Sequence, residues 1–222
     1  MNTPPADFIS FIHSVFIPDP DKFISRCIAL HEYLTECNKH VNLTRLISVD
    51  DFYFKHIADS LSIATVFPEI ASGKLSVADI GCGAGFPSLV LAAAFPNLQI
   101  TAIDSIGKKI KFVADAAQLL QLNNLTALHG RSVELNCRKE FQYRFDIVTA
   151  RAVAPSPKIC KEASNFPKHN GKFIFYKTPA QAAEESQQLA EMKNFSWQNT
   201  PVFSLPSNAG ERLFTIGVRR SK

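Results

Sequence analysis

Three glycines at alternate positions, Gly81, Gly83 and Gly85, separate two apolar segments, and this arrangement constrains the fold more than any other stretch of the chain. Leu75 to Ile80 reads as a buried β-strand and Ser88 to Phe95 as a helix, so the glycines occupy the turn where strand becomes helix. Residues without a Cβ tolerate positive φ and let a ligand come close to the main chain. The unpaired N–H groups of the following helix favour a nucleotide-like ligand at the strand's carboxyl end. The spacing discriminates among such ligands. Dinucleotide folds carry Gly-x-Gly-x-x-Gly, whereas Phe86 stands where that third glycine would fall. This argues against a pyrophosphate held on the helix, and so against a nicotinamide dehydrogenase.

The run Asp79-x-Gly81-x-Gly83-x-Gly85 resembles motif I of the class I S-adenosylmethionine (SAM) methyltransferases, in which the loop wraps the methionine and ribose portions. Asp104 ends the next strand, Leu98 to Ile103, about 20 residues on, a distance at which a carboxylate reaches ribose hydroxyls. The plainer alternative is a glycine-rich turn with ordinary surface aspartates.

From Lys74 onward short strands and helices alternate. Strands are expected at 75–80, 98–104, 125–130, 144–150, 171–177, 198–205 and 212–219, with helices at 86–95, 107–121, 155–166 and 179–192. That alternation predicts a doubly wound α/β sheet. The turn Pro206 to Gly210 predicts that the seventh strand joins as a hairpin, antiparallel to the rest. The first 70 residues read as helices: one around Phe8 to Phe16, one from about Pro20 to Cys37, and one from about Asp50 to Val66, with a polar link, Asn38 to Thr44, between the last two. The expected organisation is therefore a helical cap over 1–70 and a catalytic domain over 71–222.

Composition excludes other classes. At 222 residues and 46% hydrophobic, the chain can bury one sizeable core. No apolar run approaches a membrane span and the start, MNTPPADFIS, lacks an export signal, so a cytoplasmic protein without membrane attachment is expected. Five scattered cysteines, none paired as Cys-x-x-Cys, argue against disulfides and structural zinc, and no metal is expected. A net charge of +4 is compatible with a polyanionic partner.

Polar residues at strand carboxyl ends are the candidate ligand contacts. They are Asp79 and Gly81, Asp104 and Ser105, Arg131 to Glu134, Arg151, and Lys177. Arg151 follows an apolar strand that delivers a fixed cation to the cleft rim, suited to grip a carboxylate or a phosphate; otherwise it is a solvated arginine. Lys108, Lys109 and Lys111 open a helix whose dipole they oppose, which points to an anionic partner such as an RNA backbone, or else to a solvated face. His56 and Asp59 share a helix face, either to close over a cofactor or as a histidine tied to a carboxylate. Phe166, Phe173, Phe175 and Tyr176 read as core.

Several segments in order resemble one family. Asn38-Lys39-His40-Val41-Asn42-Leu43-Thr44, His56-Ile57-x-Asp59-Ser60, the run from Asp79 to Pro87, Asp104-Ser105-x-Gly107-Lys108-Lys109, Gly130-Arg131-x-Val133-Glu134, Arg151-Ala152-x-Ala154 and Lys177 are similar to hallmarks of the bacterial small-subunit ribosomal RNA (guanine-N7) methyltransferases called RsmG or GidB. The resemblance implies a Rossmann-like class I SAM methyltransferase fold with a seven-stranded, mostly parallel sheet. It implies SAM as cofactor, 16S rRNA in the 30S subunit as substrate, and a monomeric enzyme. Cofactor contacts are implied at Asp79, Gly81, Gly83, Gly85, Phe86, Asp104, Val133, Glu134 and Arg151, with Val133 and Glu134 at the adenine and Asp104 at the ribose. Arg151, between cofactor and RNA, is the implied catalytic residue, and Lys108, Lys109, Arg131 and Lys177 are the implied RNA contacts. Cys82, Ser88 and Thr178 depart from the family pattern, which has serine or threonine, glycine and glycine there. The competing readings are a methyltransferase for a small molecule and a non-catalytic RNA-binding protein on a relic SAM fold.

Overall fold

A computed structural model describes residues 3–220; the first two residues of the stretch read for an export signal lie outside them. One sheet runs through the molecule in the order β3-β2-β1-β4-β5-β8-β6. Its strands are β1 (Ser76–Ile80), β2 (Gln99–Asp104), β3 (Leu125–His129), β4 (Phe145–Arg151), β5 (Pro167–Lys177), β6 (Phe195–Asn199) and β8 (Glu211–Arg219), and the two-residue β7 (Phe203–Ser204) pairs with β8 alone. Strands β1 to β5 pair in parallel, and β8 inserts antiparallel to both β5 and β6. The single expected sixth strand is thus two pieces, because Pro201, which has no N–H to give a ladder, interrupts it.

Successive strand residues face opposite layers. Val77, Ile147 and Ile174 pack with the aromatic side chains of Phe23, Phe52, Phe95 and Phe214 on one face. Ala78, Val148, Phe173 and Phe175 pack with Phe145, Phe166 and Phe195 on the other. Phe166, Phe173, Phe175 and Tyr176 are all buried, as their pattern predicts.

The amino-terminal helices are α1 (Ala6–Ser14), α2 (Pro20–Val41) and α3, whose first part (Asp51–Ala58) is π-helical and whose second (Asp59–Val66) is α-helical. Their apolar residues belong to the same core as the first sheet face, so the expected cap and the sheet share one interior. Asp19 caps α2 by accepting from the Lys22 N–H at 3.0 Å, with Pro20 in the first turn. The helix continues four residues beyond its expected end. Asn42, in the left-handed conformation at φ 44°, stops it, and the Asn38 side chain closes the following turn through Leu43 N–H, Thr44 N–H and the Thr44 carbonyl. The supposed polar link is therefore a helix end wrapped around Asn38.

Four further elements follow α4 (Glu69–Ser72): α5 (Ser88–Ala94), α6 (Gly107–Leu119), α8 (Ser156–Glu162) and α9 (Pro179–Ala190), with a single turn, α7 (Ser132–Leu135), after β3. Since β1 lies between β2 and β4, the chain reverses its direction of winding there. A crevice opens beyond the carboxyl ends of β1 and β4, where open α/β sheets bind ligands.

Candidate functional site

The loop between β1 and α5 is built for close approach. Gly81, Gly83 and Gly85 have φ of 67°, 57° and 85°. A Cβ at Gly81 would meet Val153 at 2.5 Å and one at Gly85 would meet Leu89 at 2.4 Å, whereas one at Gly83 would meet only the Gly81 carbonyl, at an ordinary 3.9 Å. The outer two glycines are thus packing requirements, and Gly83 keeps the cradle itself free.

Two carboxylates hold this loop. Asp104 accepts from Gly83 N–H at 2.9 Å through one oxygen and from Ile106 N–H at 2.8 Å through the other. It thereby ties the glycine turn to the start of α6. Asp79, 1% exposed, accepts from the main chain and the hydroxyl of Ser88 through Oδ2, while its Oδ1 has no partner among the described residues. Burial pushes its pKa up to about 6, against the lowering pull of Ser88 and Arg151. Ser88, a departure from the family pattern, is here the residue that anchors Asp79.

A cleft of about 510 Å³ opens beside the loop, lined by Gly81, Asp104, Ile106, Arg131, Val133 and Val153 among others. Exposed Val133 and Val153 give it apolar walls, and Asp104 lines it as well. Ser132 donates to Glu162 at 2.9 Å, which joins α7 to α8 across this wall. SAM fits these residues: an open cradle at Gly83, an acceptor at Asp104 and apolar walls. Glu134, expected at the adenine, is exposed on α7 and lines a neighbouring pocket with Arg131 and Arg138 rather than this cleft, and Phe86 is buried.

Arg151 is held from three sides. Its Nη1 donates to the Lys55 carbonyl at 2.7 Å and to Asp59 at 2.8 Å, its Nη2 to His56 Nδ1 at 3.2 Å, and its guanidinium lies 5.7 Å from the Phe86 ring centre. His56 stacks on Phe86 with ring centres 4.2 Å apart. Because its Nδ1 accepts from Arg151, its proton sits on Nε2, which reaches the Leu46 carbonyl at 3.1 Å. Burial, reinforced by the Arg151 charge, depresses the His56 pKa to about 3, so the ring is neutral. Asp59 also takes Arg212 Nε at 3.0 Å. His56 and Asp59, read as a pair, are joined through Arg151, and Thr44 lies 3.3 Å from His56 Nε2. Segments far apart in sequence thus meet at one node. Arg212 was not foreseen, and the pattern around Gly210 to Leu213 carries no signal for it.

The candidate polyanion contacts divide. Lys108 and Arg131 are exposed, and Lys109 is half-buried and lines the cleft. Lys111 pairs with Asp115 at 3.0 Å. Lys177, expected at an RNA-facing rim, is buried, with its ammonium 2.7 Å from Glu185. Among the described residues no group of three or more histidines, cysteines or acids could hold a metal ion, and no helix is long and apolar enough to cross a membrane.

Comparison with known proteins places these residues in a family. The family model GidB, rRNA small subunit methyltransferase G, matches residues 24–212. The chain is 38% identical over 189 residues to ribosomal RNA small subunit methyltransferase G of Limosilactobacillus reuteri, covering 84% of this chain and 78% of that one. It is 33% identical over 218 residues to the protein of that name from Leuconostoc mesenteroides, covering 97% and 91%. Among solved structures it resembles a SAM dependent methyltransferase from Aquifex aeolicus (TM-score 0.54, 15% identity, 70% of this chain and 88% of that). It likewise resembles precorrin-6y C5,15-methyltransferase from Geobacter metallireducens (TM-score 0.53, 13% identity, 72% and 88%). Those two likenesses establish the fold, an α/β Rossmann-like methyltransferase sheet. The glycine turn, the Asp104 tether and the Arg151 node all fall within the matched residues, and the chain belongs to the GidB family of rRNA small subunit methyltransferases.

Proposed function

We propose that the chain transfers the methyl group of SAM to N7 of a guanine in the 16S rRNA of the small subunit. The observation that carries this reading is the Asp104 tether, which shapes an open glycine cradle beside an apolar-walled cleft within the residues the family model covers.

SAM supplies an electrophilic sulfonium methyl. Guanine N7 carries a bare lone pair, so the chain need not remove a proton; its task is to bind, orient and exclude water. Asp104 holds the ribose hydroxyls, and Val133 and Glu134 flank the adenine. Arg151 uses three of its five N–H donors on the protein. The remaining two are directed to the methionine carboxylate or to an RNA phosphate, with Asp59 and His56 fixing the guanidinium plane. Lys108, Lys109 and Arg131 receive the RNA backbone. Holding N7 in line with methyl and sulfur is worth up to about 7–11 kcal/mol in ideal systems. The enzyme acts as a monomer in the cytoplasm, where small subunits reside.

Incubation with labelled SAM and 30S particles from a strain lacking its own enzyme is the test. Label in the 16S RNA is expected; binding of SAM with no label in RNA would refute the reading and favour a small-molecule acceptor.

A further inference from the structure

The cofactor cleft does not end at Val153. Beyond it lies a second cavity of about 370 Å³, between the loop after β4 and the start of α9. Ala152, Val153, Ala154 and Ile159 are walls common to both. Ala152 holds φ 55°, an unfavourable conformation for alanine, in the partition between them. The second cavity is lined by Phe175 and Tyr176, by the polar side chains of Gln181 and Glu184, and by one ion pair, Lys177 with Glu185. Their side chains are 9% and 13% exposed, and the paired nitrogen and oxygen are 2.7 Å apart. The other Glu185 oxygen accepts from Ser156 N–H at 3.1 Å. Removing two charges from water is costly, and the mutual attraction of a pair repays this only in part. A carboxylate pinned at both oxygens, each with a lone pair left over, is in return a rigid double acceptor.

We propose that this cavity receives the base to be methylated and that Glu185 reads guanine by its base-pairing edge, accepting from N1–H and from the exocyclic amino group. This rests on the reading above, in which guanine is the methyl acceptor. Guanine alone among the RNA bases presents two adjacent donors on that edge; adenine and cytosine place a lone pair there, which a carboxylate repels. N7 lies on the opposite side of the purine, so a base held by Glu185 turns N7 back toward the partition and the cofactor cleft. In the transfer the S–CH3 bond breaks and an N7–CH3 bond forms from the N7 lone pair. The sulfur keeps the bonding electrons, the positive charge passes to the purine, and no proton leaves. A carboxylate bonded to N1–H and the amino group is then strengthened as the charge develops, so Glu185 both selects the base and stabilises the transition state.

The test compares 30S particles carrying guanosine or inosine, which lacks the amino group, at the methylated position. With the wild-type enzyme inosine should lower kcat/KM by about tenfold or more. Glu185→Gln should lower kcat/KM on guanosine by roughly ten- to hundredfold and abolish the difference between guanosine and inosine. Its affinity for S-adenosylhomocysteine, measured by calorimetry, should stay within about twofold of wild type, which a merely misfolded variant would not do. Wild-type kcat/KM in Glu185→Gln, or an undiminished inosine penalty in that variant, overturns the assignment of Glu185 and leaves the methyltransferase reading standing. Failure of the wild-type enzyme to label guanine N7 overturns both.

Discussion

Replacing Asp104 by alanine removes two main-chain hydrogen bonds and the proposed cofactor anchor in one step. The carboxylate accepts from Gly83 N–H at 2.9 Å and Ile106 N–H at 2.8 Å. Hydrogen bonds to a charged group contribute about 1.5–3 kcal/mol each. Both amides border a cleft that water can enter, so the low end applies and the combined loss is about 3 kcal/mol. For a chain of this size the melting temperature then falls by roughly 6–12 °C, and the fold survives. Cofactor binding weakens by more than the ribose hydrogen bonds alone, because the glycine turn is freed from α6 as the ribose acceptor disappears. Removal of one charge-assisted bond by itself corresponds to roughly 10–150-fold in affinity. Thermal melts combined with calorimetric titration of S-adenosylhomocysteine measure both effects. Affinity within twofold of wild type, in a variant whose melting temperature has not moved, would refute the role given to Asp104 in this loop.

The glycines should separate by role: Gly83→Ala is expected to fold with a loss of about 1 kcal/mol from its positive φ while cofactor affinity falls. Gly85→Ala, whose Cβ would meet Leu89 at 2.4 Å, should destabilise the chain in denaturant titrations by more than Gly83→Ala does. His56 sets a pH dependence. Its folded pKa of about 3 lies below the unfolded value, so the unfolded chain binds the extra proton between about pH 3 and 6.5. The stability it protects is complete above that window and is lost as pH falls through it; Asp79, raised from 3.8 to about 6, acts in the opposite sense over a window that lies inside that of His56. His56→Gln should reduce proton uptake on unfolding at pH 5 by about one proton, and an unchanged uptake would contradict a buried neutral ring. Replacing Lys108 and Lys109 together by alanine should reduce the salt dependence of 30S binding, the log–log slope falling by roughly 0.7–0.9 for each phosphate that is no longer neutralised.

The strands, the glycine turn and Asp104 were legible because each depends on local pattern. Buried runs such as Phe145 to Ala150 have strand length, and the turn needs residues without a Cβ. The node around Arg151 was legible only in pieces. Lys55, His56 and Asp59 meet Arg151 and Arg212 across more than 90 positions of chain, and no periodicity encodes that meeting. A helix from about Asp50 to Val66 was expected, but not its π-helical first part, in which Asp59 N–H reaches back to the Phe54 carbonyl. Lys177 stood in the right segment for a charged rim, yet burial and Glu185 turned it into a fixed ion pair, and burial is a tertiary property. The departures from family pattern also became intelligible only in three dimensions. Ser88 anchors Asp79, and Thr178 caps α9 reciprocally with Gln181.

The central claim is tested most directly by digesting 16S RNA methylated in vitro by this protein and identifying the modified nucleoside by mass spectrometry. The predicted product is 7-methylguanosine at a single position, with its yield at limiting SAM strongly reduced when Asp104→Ala replaces the wild-type chain. A methyl group on any other atom or base, or wild-type yield from the Asp104 variant, would contradict it.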